Sequence, residues 1–320
     1  MREKETVELG LCIGFDTSNY TTSAAVFDGT SGENRGKLLT VPQGALGLRQ
    51  SEAVFQHVKR LHLMVEQLRG DGVLDRLRAV GASTRPREVE GSYMPCFLVG
   101  EGQARTLAAA LDVPFYPCSH QQGHIAAAAW SAGREDLLET PHLAWHLSGG
   151  TTELLLVRPV GHTVEAELVG GTSDIAAGQL VDRVGVALGL GFPAGKALDA
   201  LSQDSSQSAS FAVKLQDGVF SLSGMENKIK AMIDAGQRPE DVARFTFETL
   251  AHVLLRATRQ ALKKYGDLPV LCSGGVASNR LLRQRLEEVE AIFAPPQYST
   301  DNALGVAILA HRAAEREVPG

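Results

Sequence analysis

Cysteine is scarce in this 320-residue chain: Cys12, Cys96, Cys118 and Cys272 stand singly beside apolar neighbours, with no C-x-x-C pair among them. Such spacing argues against a disulfide framework and predicts buried, reduced thiols of a cytosolic protein. Long apolar runs are missing too. None approaches a membrane span, and the charged start Met1–Glu8 leads straight into a strand, so a soluble, cytoplasmic protein without a membrane partner is expected. An excess of positive charge is also lacking, since 31 Lys and Arg against 37 Asp and Glu give a net charge of −6. A protein that grips nucleic acid by itself through a broad basic surface is not built this way. An RNA partner would need a local basic face or partner subunits.

What is present is ample apolar sequence. With 44% hydrophobic and 21% charged residues, the chain exceeds what one core usually serves, and two domains or lobes are expected.

Leu11–Asp16 is an apolar run ending in an acid, followed by the polar stretch from Thr17 to Ser23 and a second run, Ala24–Phe27. The pattern is strand, polar turn, strand, and the turn is either an ordinary hairpin or a phosphate-facing loop. It returns at His142–Leu147, the turn Ser148-Gly149-Gly150-Thr151-Thr152, and Glu153–Val157. The recurrence points to an internal duplication of the fold, with the two turns expected to face each other across a cleft. Glycines at 149 and 150 would let backbone N–H groups converge on an anion; a plain hairpin is the alternative. Leu268–Cys272 is a further buried strand, and Ser273-Gly274-Gly275-Val276-Ala277-Ser278-Asn279-Arg280 carries it into a helix. Backbone N–H groups at a helix start suit a phosphate or a ribose, with Asn279 adding a side-chain hydrogen bond. The alternative is a plain strand-to-helix turn with Ser278 as N-cap.

Between these pieces, residues 29–47 have the composition of a surface loop. Ser51–Arg69 repeats Val54, Val58, Leu61, Val65 and Leu68 at helical steps, leaving His57 and His62 partly exposed. Strands are expected at Arg78–Ser83 and Val113–Cys118, and helices at Glu101–Leu111, Asp174–Leu190, Lys196–Leu201, Asp241–Lys264 and Leu304–Arg316. The polar stretch Arg134–Pro141 is the expected boundary between lobes.

The stretch with most chemistry is Ser119-His120-Gln121-Gln122-Gly123-His124-Ile125. Two imidazoles four residues apart at a helix start point the same way and can clasp a metal ion if a third ligand arrives from elsewhere. Asp301, whose ordinary role would be to cap the last helix, is the preferred third ligand.

These pieces, in this order, resemble the TsaD family, called Gcp or YgjD in older naming, within the sugar-kinase/Hsp70/actin superfamily. The resemblance rests on Gly14-Phe15-Asp16-Thr17-Ser18, the His120–His124 motif, Leu147–Leu154, Ala176-Ala177-Gly178 with Asp182, Phe220–Gly224, Ser273–Arg280 and Thr300-Asp301-Asn302-Ala303. It implies an α/β fold of two actin/Hsp70/sugar-kinase-like lobes with duplicated mixed sheets around a nucleotide cleft. The expected division is an N-terminal lobe over 1–138, with the C-terminal helix 302–320 packing back on it, and a C-terminal lobe over 139–301. It also implies an acyltransferase that moves a threonylcarbamoyl group from threonylcarbamoyl-adenylate to N6 of the adenosine beside the anticodon of tRNA, forming t6A. TsaB-like and TsaE-like proteins would be its partners. By the same resemblance, His120, His124 and Asp301 would bind iron or zinc, and Ser148, Gly149, Gly150, Asp182, Gly195, Asp199 and Asn279 would line the adenylate site.

The chain departs from the family at several places. An acidic pair is replaced by Tyr20-Thr21, a G-P-G loop by Glu90–Pro95, a His by Thr151, a Glu by Gln179 and an acid by Ile175. The alternative expectation is therefore a divergent paralogue that binds metal and nucleotide but uses another carbamoyl acceptor, or serves as a non-catalytic regulatory or scaffold subunit.

Overall fold

Leu11–Asp16 (β1) is buried at every position, which requires cover on both faces of its sheet. Side chains alternate between the two faces. Leu11, Ile13 and Phe15 enter one core with Leu61, Leu68 and Leu107, whereas Cys12 packs with Ala79, Tyr116 and Ala310 on the other side. The computed structural model describes residues 10–18, 20–41, 48–298 and 302–317.

Thr21–Phe27 (β2) returns antiparallel to β1, pairing Phe15 with Ala24, and Gly32–Leu38 (β3) pairs antiparallel with β2. Then come Gln50–Gly70 (α1), Leu77–Arg85 (β4), Phe97–Leu111 (α2), Phe115–Ser119 (β5) and His120–Ser131 (α3). β4 lies parallel to β1 and β5 parallel to β4, so the order is β3-β2-β1-β4-β5.

The second sheet begins with His142–Leu147 (β6), Thr152–Val160 (β7) and Thr163–Thr172 (β8). Ala177–Ala187 (α4), Gly195–Ser202 (α5), Leu215–Gln216 (β9), Val219–Phe220 (β10), Ser223–Asp234 (α6), Pro239–Tyr265 (α7), Val270–Ser273 (β11), Arg280–Leu286 (α8) and Ile292–Phe293 (β12) follow, and Leu304–Arg316 (α9) closes the chain. The order is β12-β11-β6-β7-β8-β10-β9. Apart from β10 and β9 it repeats the first sheet: β6 has an antiparallel neighbour, β7, on one side and a parallel one, β11, on the other, with β12 parallel beyond. The duplication expected from the two hairpins is thus a duplication of whole-sheet topology.

The chain divides into two compact units. One runs up to Ala127 and includes Pro159–Glu165 and α9; the other comprises Ala128–Arg158 and the span from Ala166 to the approach to α9. In the first, α9 covers the face of β1 and β4 opposite α1 and α2. In the second, α7 is the central helix, with Val242, Phe247, Leu250 and Leu254 in the same core as Leu143, Trp145 and Leu147 of β6. The indole of Trp145 donates to Thr258 Oγ1 at 2.9 Å, which satisfies the one polar atom this large side chain brings into that core.

Three local expectations need correction. Residues 32–38 form an edge strand rather than loop; their polar sequence GENRGKL carries no apolar alternation because they are largely exposed. His57 is fully buried, and α1 turns Ala53, His57, Leu61, Met64 and Leu68 inward while Val58 is exposed. The cause is a polar partner inside: His57 Nδ1 lies 2.8 Å from the buried Thr22 Oγ1 of β2, so that ring nitrogen finds a hydrogen bond in the core. Finally, α4 starts at Ala177 rather than Asp174, because the Asp174 carboxylate accepts from Ile175 N, Ser221 Oγ, Leu222 N and Ser223 N at 2.5–3.1 Å. Those bonds staple the segment before α4 to the Phe220–Gly224 motif. Among the described residues no helix is long and apolar enough to cross a membrane.

Candidate functional site

The expected site residues fall into two groups, one in each unit. The first is built at the carboxyl ends of β1, β4 and β5, where neighbouring parallel strands present their loops on one side of the sheet. Ser119 ends β5 and starts α3 through a reciprocal capping box: its N–H donates to Gln122 Oε1 at 2.7 Å and its Oγ accepts from Gln122 N at 3.2 Å. The cap fixes the first turn of α3, and with it the direction of both imidazoles. The rings of His120 and His124 lie 4.3 Å apart, edge to face, and their Nε2 atoms approach to 2.9 Å. Two ring nitrogens therefore converge on one point, which fits the donor set of a borderline-soft divalent ion. Asp301 lies outside the described residues. The positions after it are placed: Ala303 N donates to Asn34 Oδ1 at 2.9 Å, and Asn302 Oδ1 accepts from Leu304 N at 3.1 Å at the start of α9. Among the described residues no third His, Cys, Asp or Glu joins the pair in ligating geometry.

Sequence reasoning gave no role to Asp16, yet it is central to this group. Its carboxylate is 1% exposed and accepts from Ser18 N at 2.9 Å and from Ser83 Oγ at 2.8 Å, while its other oxygen lies 2.8 Å from His120 Nδ1. Burial opposes its charge, but the His120 imidazole and these hydrogen bonds outweigh burial and hold the pKa down at about 2. The available signal was its position, an acid ending a fully apolar strand. Thr17 beside it is structural: its hydroxyl donates to Cys96 O at 2.8 Å and accepts from Gly100 N at 3.0 Å, tying the turn to α2.

The second group lies at the carboxyl ends of β6 and β11. Ser148 closes the β6–β7 turn, its N–H donating to Thr151 O at 2.8 Å and its Oγ accepting from Thr151 N at 3.1 Å. Gly149 and Gly150 are exposed, have no positive φ, and nothing lies within 4 Å of where a Cβ would sit. Among the described residues nothing demands glycine there. At Gly274 the opposite holds: its φ is +98° and a Cβ would stand 2.1 Å from Leu147 O. At Gly178 a Cβ would stand 2.5 Å from Ser148 O, so small residues let α4 and the β11 turn close against the base of the bare loop.

Asp182 Oδ1 accepts from Ala194 N at 2.8 Å and so fixes the chain immediately before Gly195. Asp199 and Asn279 are brought together, Asn279 Nδ2 donating to Asp199 Oδ1 at 2.6 Å. Asn279, not Ser278, caps α8, its Oδ1 accepting from Leu282 N at 3.0 Å. Burial raises the Asp199 pKa, and the Arg280 N–H and guanidinium oppose that shift. The first turns of α4 and α8 are thus satisfied by the protein: Ala177 N donates to Thr152 Oγ1 and Gly178 N to Ser148 O. What the second group offers a ligand is the exposed backbone of 149–150 and the remaining acceptor sites on Asp199 and Asn279.

The departures from the family pattern have structural work. Gln179 Oε1 accepts from Ala176 N at 3.3 Å, a bond amide and carboxylate make alike. Ile175 packs against the second core. Thr21 is buried in β2, and Tyr20 O accepts from Leu39 N at 2.6 Å.

A family profile described as TsaD, tRNA N6-adenosine threonylcarbamoyltransferase, matches residues 43–308. The tRNA N6-adenosine threonylcarbamoyltransferase of Thermus thermophilus is 36% identical over 271 residues, covering 82% of this chain and 80% of that protein. That of Sulfurihydrogenibium sp. is 30% identical over 315 residues, covering 94% and 89%. Among solved structures, full-length HypF in its phosphate- and nucleotide-bound form superposes with a TM-score of 0.61 at 14% identity, over 97% of this chain and 56% of that one. The activator of the 2-hydroxyisocaproyl-CoA dehydratase from Clostridium difficile with bound ADPNP gives 0.54 at 13% identity, over 97% and 98%. These likenesses and the repeated sheet order place the chain in the actin/Hsp70/sugar-kinase-like α/β fold expected from its sequence.

Proposed function

Because the chain belongs to the family of tRNA N6-adenosine threonylcarbamoyltransferases, we propose that it transfers a threonylcarbamoyl group from threonylcarbamoyl-adenylate to N6 of the adenosine beside the anticodon of tRNA. The bond from the carbamoyl carbon to the adenylate phosphate oxygen breaks, the bond to N6 forms, N6 gives up a proton and AMP leaves. The observation that carries this reading is 36% identity to a named transferase over 82% of the chain.

The adenylate is assigned to the second group. The unobstructed Gly149–Gly150 backbone supports it, since it offers N–H groups to an anion with no side chain between. Asp199 and Asn279 suit the ribose hydroxyls, because a carboxylate can accept several hydrogen bonds and Asn279 engages only part of its capacity within the chain. Asp182 and Gly195 shape the neighbouring loop. The converging Nε2 atoms of His120 and His124 support a bound divalent metal, iron or zinc, with Asp301 as the proposed third ligand. Such an ion supplies Lewis acidity and a fixed point for the donor's carboxylate and carbonyl. TsaB-like and TsaE-like partners fit the net charge of −6, which leaves much of the grip on tRNA to other subunits. A cytoplasmic place is supported by four buried cysteines that are all free thiols.

The test is incubation of the purified chain with threonylcarbamoyl-adenylate, unmodified tRNA and the two partner proteins, followed by nucleoside mass spectrometry. Threonylcarbamoyl-adenosine in the tRNA is the expected product. Unmodified adenosine alone, where the Thermus relative modifies the same tRNA, would sink the proposal.

A further inference from the structure

Three adjacent parallel strands converge on one imidazole. Asp16 ends β1, Ser83 lies on β4 between β1 and β5, and His120 is the first residue after β5. We infer that Asp16 is a positioning residue: it holds His120 in the tautomer protonated on Nδ1, leaving the Nε2 lone pair directed toward His124 and available to a metal ion.

The hydrogen-bond inventory of Asp16 leaves little choice. Ser18 N can only donate, and it shares Asp16 Oδ1 with the Ser83 hydroxyl, at 2.9 and 2.8 Å. Oδ1 is therefore an acceptor, Oδ2 faces His120 Nδ1 at 2.8 Å, and at mildly alkaline pH a carboxyl so surrounded by donors is ionised. An ionised carboxylate has no proton to give, so the proton in that contact belongs to Nδ1. A neutral imidazole has only one such proton, so His120 Nε2 carries none and in its 2.9 Å contact with His124 Nε2 is the acceptor, its lone pair on the side a metal ion would approach. Asp16 acts from the far side of the ring; among the described residues no third acidic or soft side chain joins the two histidines as a ligand. Carboxylates that support ligating histidines in this way fix both tautomer and ring orientation. The sheet ladder makes the arrangement stiff, since Phe15 pairs with Ala82 and Ser83 with Cys118. The edge of buried Phe97, 6.4 Å away between ring centroids, confines the imidazole further.

The inference rests on the metal reading of the His pair, and the experiment separates the two. Metal-free protein with 15N-labelled histidine is examined by NMR at mildly alkaline pH, with His120→Gln assigning the resonance; Zn2+ affinity is then measured by chelator competition for wild type, Asp16→Asn and Ser83→Ala. Wild type is expected to show His120 protonated on Nδ1. In Asp16→Asn the Ser18 N–H keeps the amide oxygen on its own side and turns the NH2 toward His120. The ring must then accept at Nδ1 and carry its proton on Nε2, and Zn2+ affinity falls roughly 10–100-fold. Ser83→Ala keeps the carboxylate, so the tautomer stays and affinity falls less, under about 10-fold. If Asp16→Asn does not fold, the wild-type tautomer and Ser83→Ala decide the matter. His120 protonated on Nε2 in wild type overturns the inference, as does an Asp16→Asn protein that keeps both the Nδ1 proton and the wild-type affinity. A wild-type chain that binds neither Zn2+ nor Fe2+ overturns the metal reading itself, whatever the tautomer.

Discussion

The β1–β2 and β6–β7 turns stand at the same place in two sheets of the same order, and they are built from opposite materials. At the end of β1 the chain puts side chains: Asp16, Thr17 and Ser18 are buried and bonded to β4, α2 and His120. At the end of β6 it puts backbone: Gly149 and Gly150 are exposed, with open space where a side chain would stand. A repeated topology therefore yields one turn that sets a buried carboxylate against an imidazole and another that leaves backbone N–H groups open. The scaffold fixes where chemistry can be placed, and the turn residues decide its sign.

The largest effect should come from a glycine that serves the fold. Gly274→Ala forces a side chain onto Leu147 O at φ +98° and should cost on the order of 4 kcal/mol in denaturant unfolding. A smaller loss would mean that the base beneath the 148–150 turn is softer than described. His120→Ala should lower metal affinity by more than the roughly 100-fold expected for loss of a supporting partner; equilibrium dialysis with elemental analysis reads it. Asn279→Ala removes a helix cap and the partner of Asp199, and about 1–2 kcal/mol of stability should go with it. Gly149→Ala is the counterpart to Gly274→Ala. Stability should stay within about 0.5 kcal/mol while AMP binding, followed by calorimetry, weakens roughly tenfold, or about 1.4 kcal/mol. Equal effects on folding from both glycines would break the distinction between them.

The smallest effect concerns acid. His311 in the first unit and His142 in the second are buried histidines whose Nε2 has no hydrogen-bond partner among the described residues. Burial pushes both pKa values down, against the Glu315 carboxylate for His311 and against the Thr140 and Leu137 carbonyls for His142. Below about pH 6.5 the unfolded chain takes up protons at these positions that the folded chain resists. Stability is thus full above that pH and declines as pH falls through it. His311→Gln should flatten part of the decline and leave the share due to His142, as thermal melts across that range would show.

Much of this architecture was legible because apolar period and turn chemistry agree. β1, β6 and β11, the His120 helix start and α9 lie where the residues place them. β3 is illegible because an exposed edge strand needs no apolar alternation, whereas β8 carries Val164, Ala166 and Leu168 in strict alternation with Thr163, Glu165 and Glu167, a legible strand signal. The inward turn of His57 depends on a threonine 35 positions away, and Asp16 on a serine of β4 and the histidine that starts α3. Such pairings are tertiary facts, absent from local pattern. Gly149 and Gly274 look alike in sequence, and only their surroundings separate the glycine kept for the fold from the one left open.

The departures at Tyr20-Thr21 and Gln179 bear on whether the chain performs its family's reaction, and both positions make bonds the fold uses. The most direct measurement is made in cells: this chain is expressed in bacteria depleted of their own threonylcarbamoyltransferase, together with its cognate partners, and t6A in total tRNA is quantified. t6A is expected to return toward the level restored by the Thermus relative. Persistent absence of t6A, with the chain present and folded and the relative active in the same strain, would contradict it.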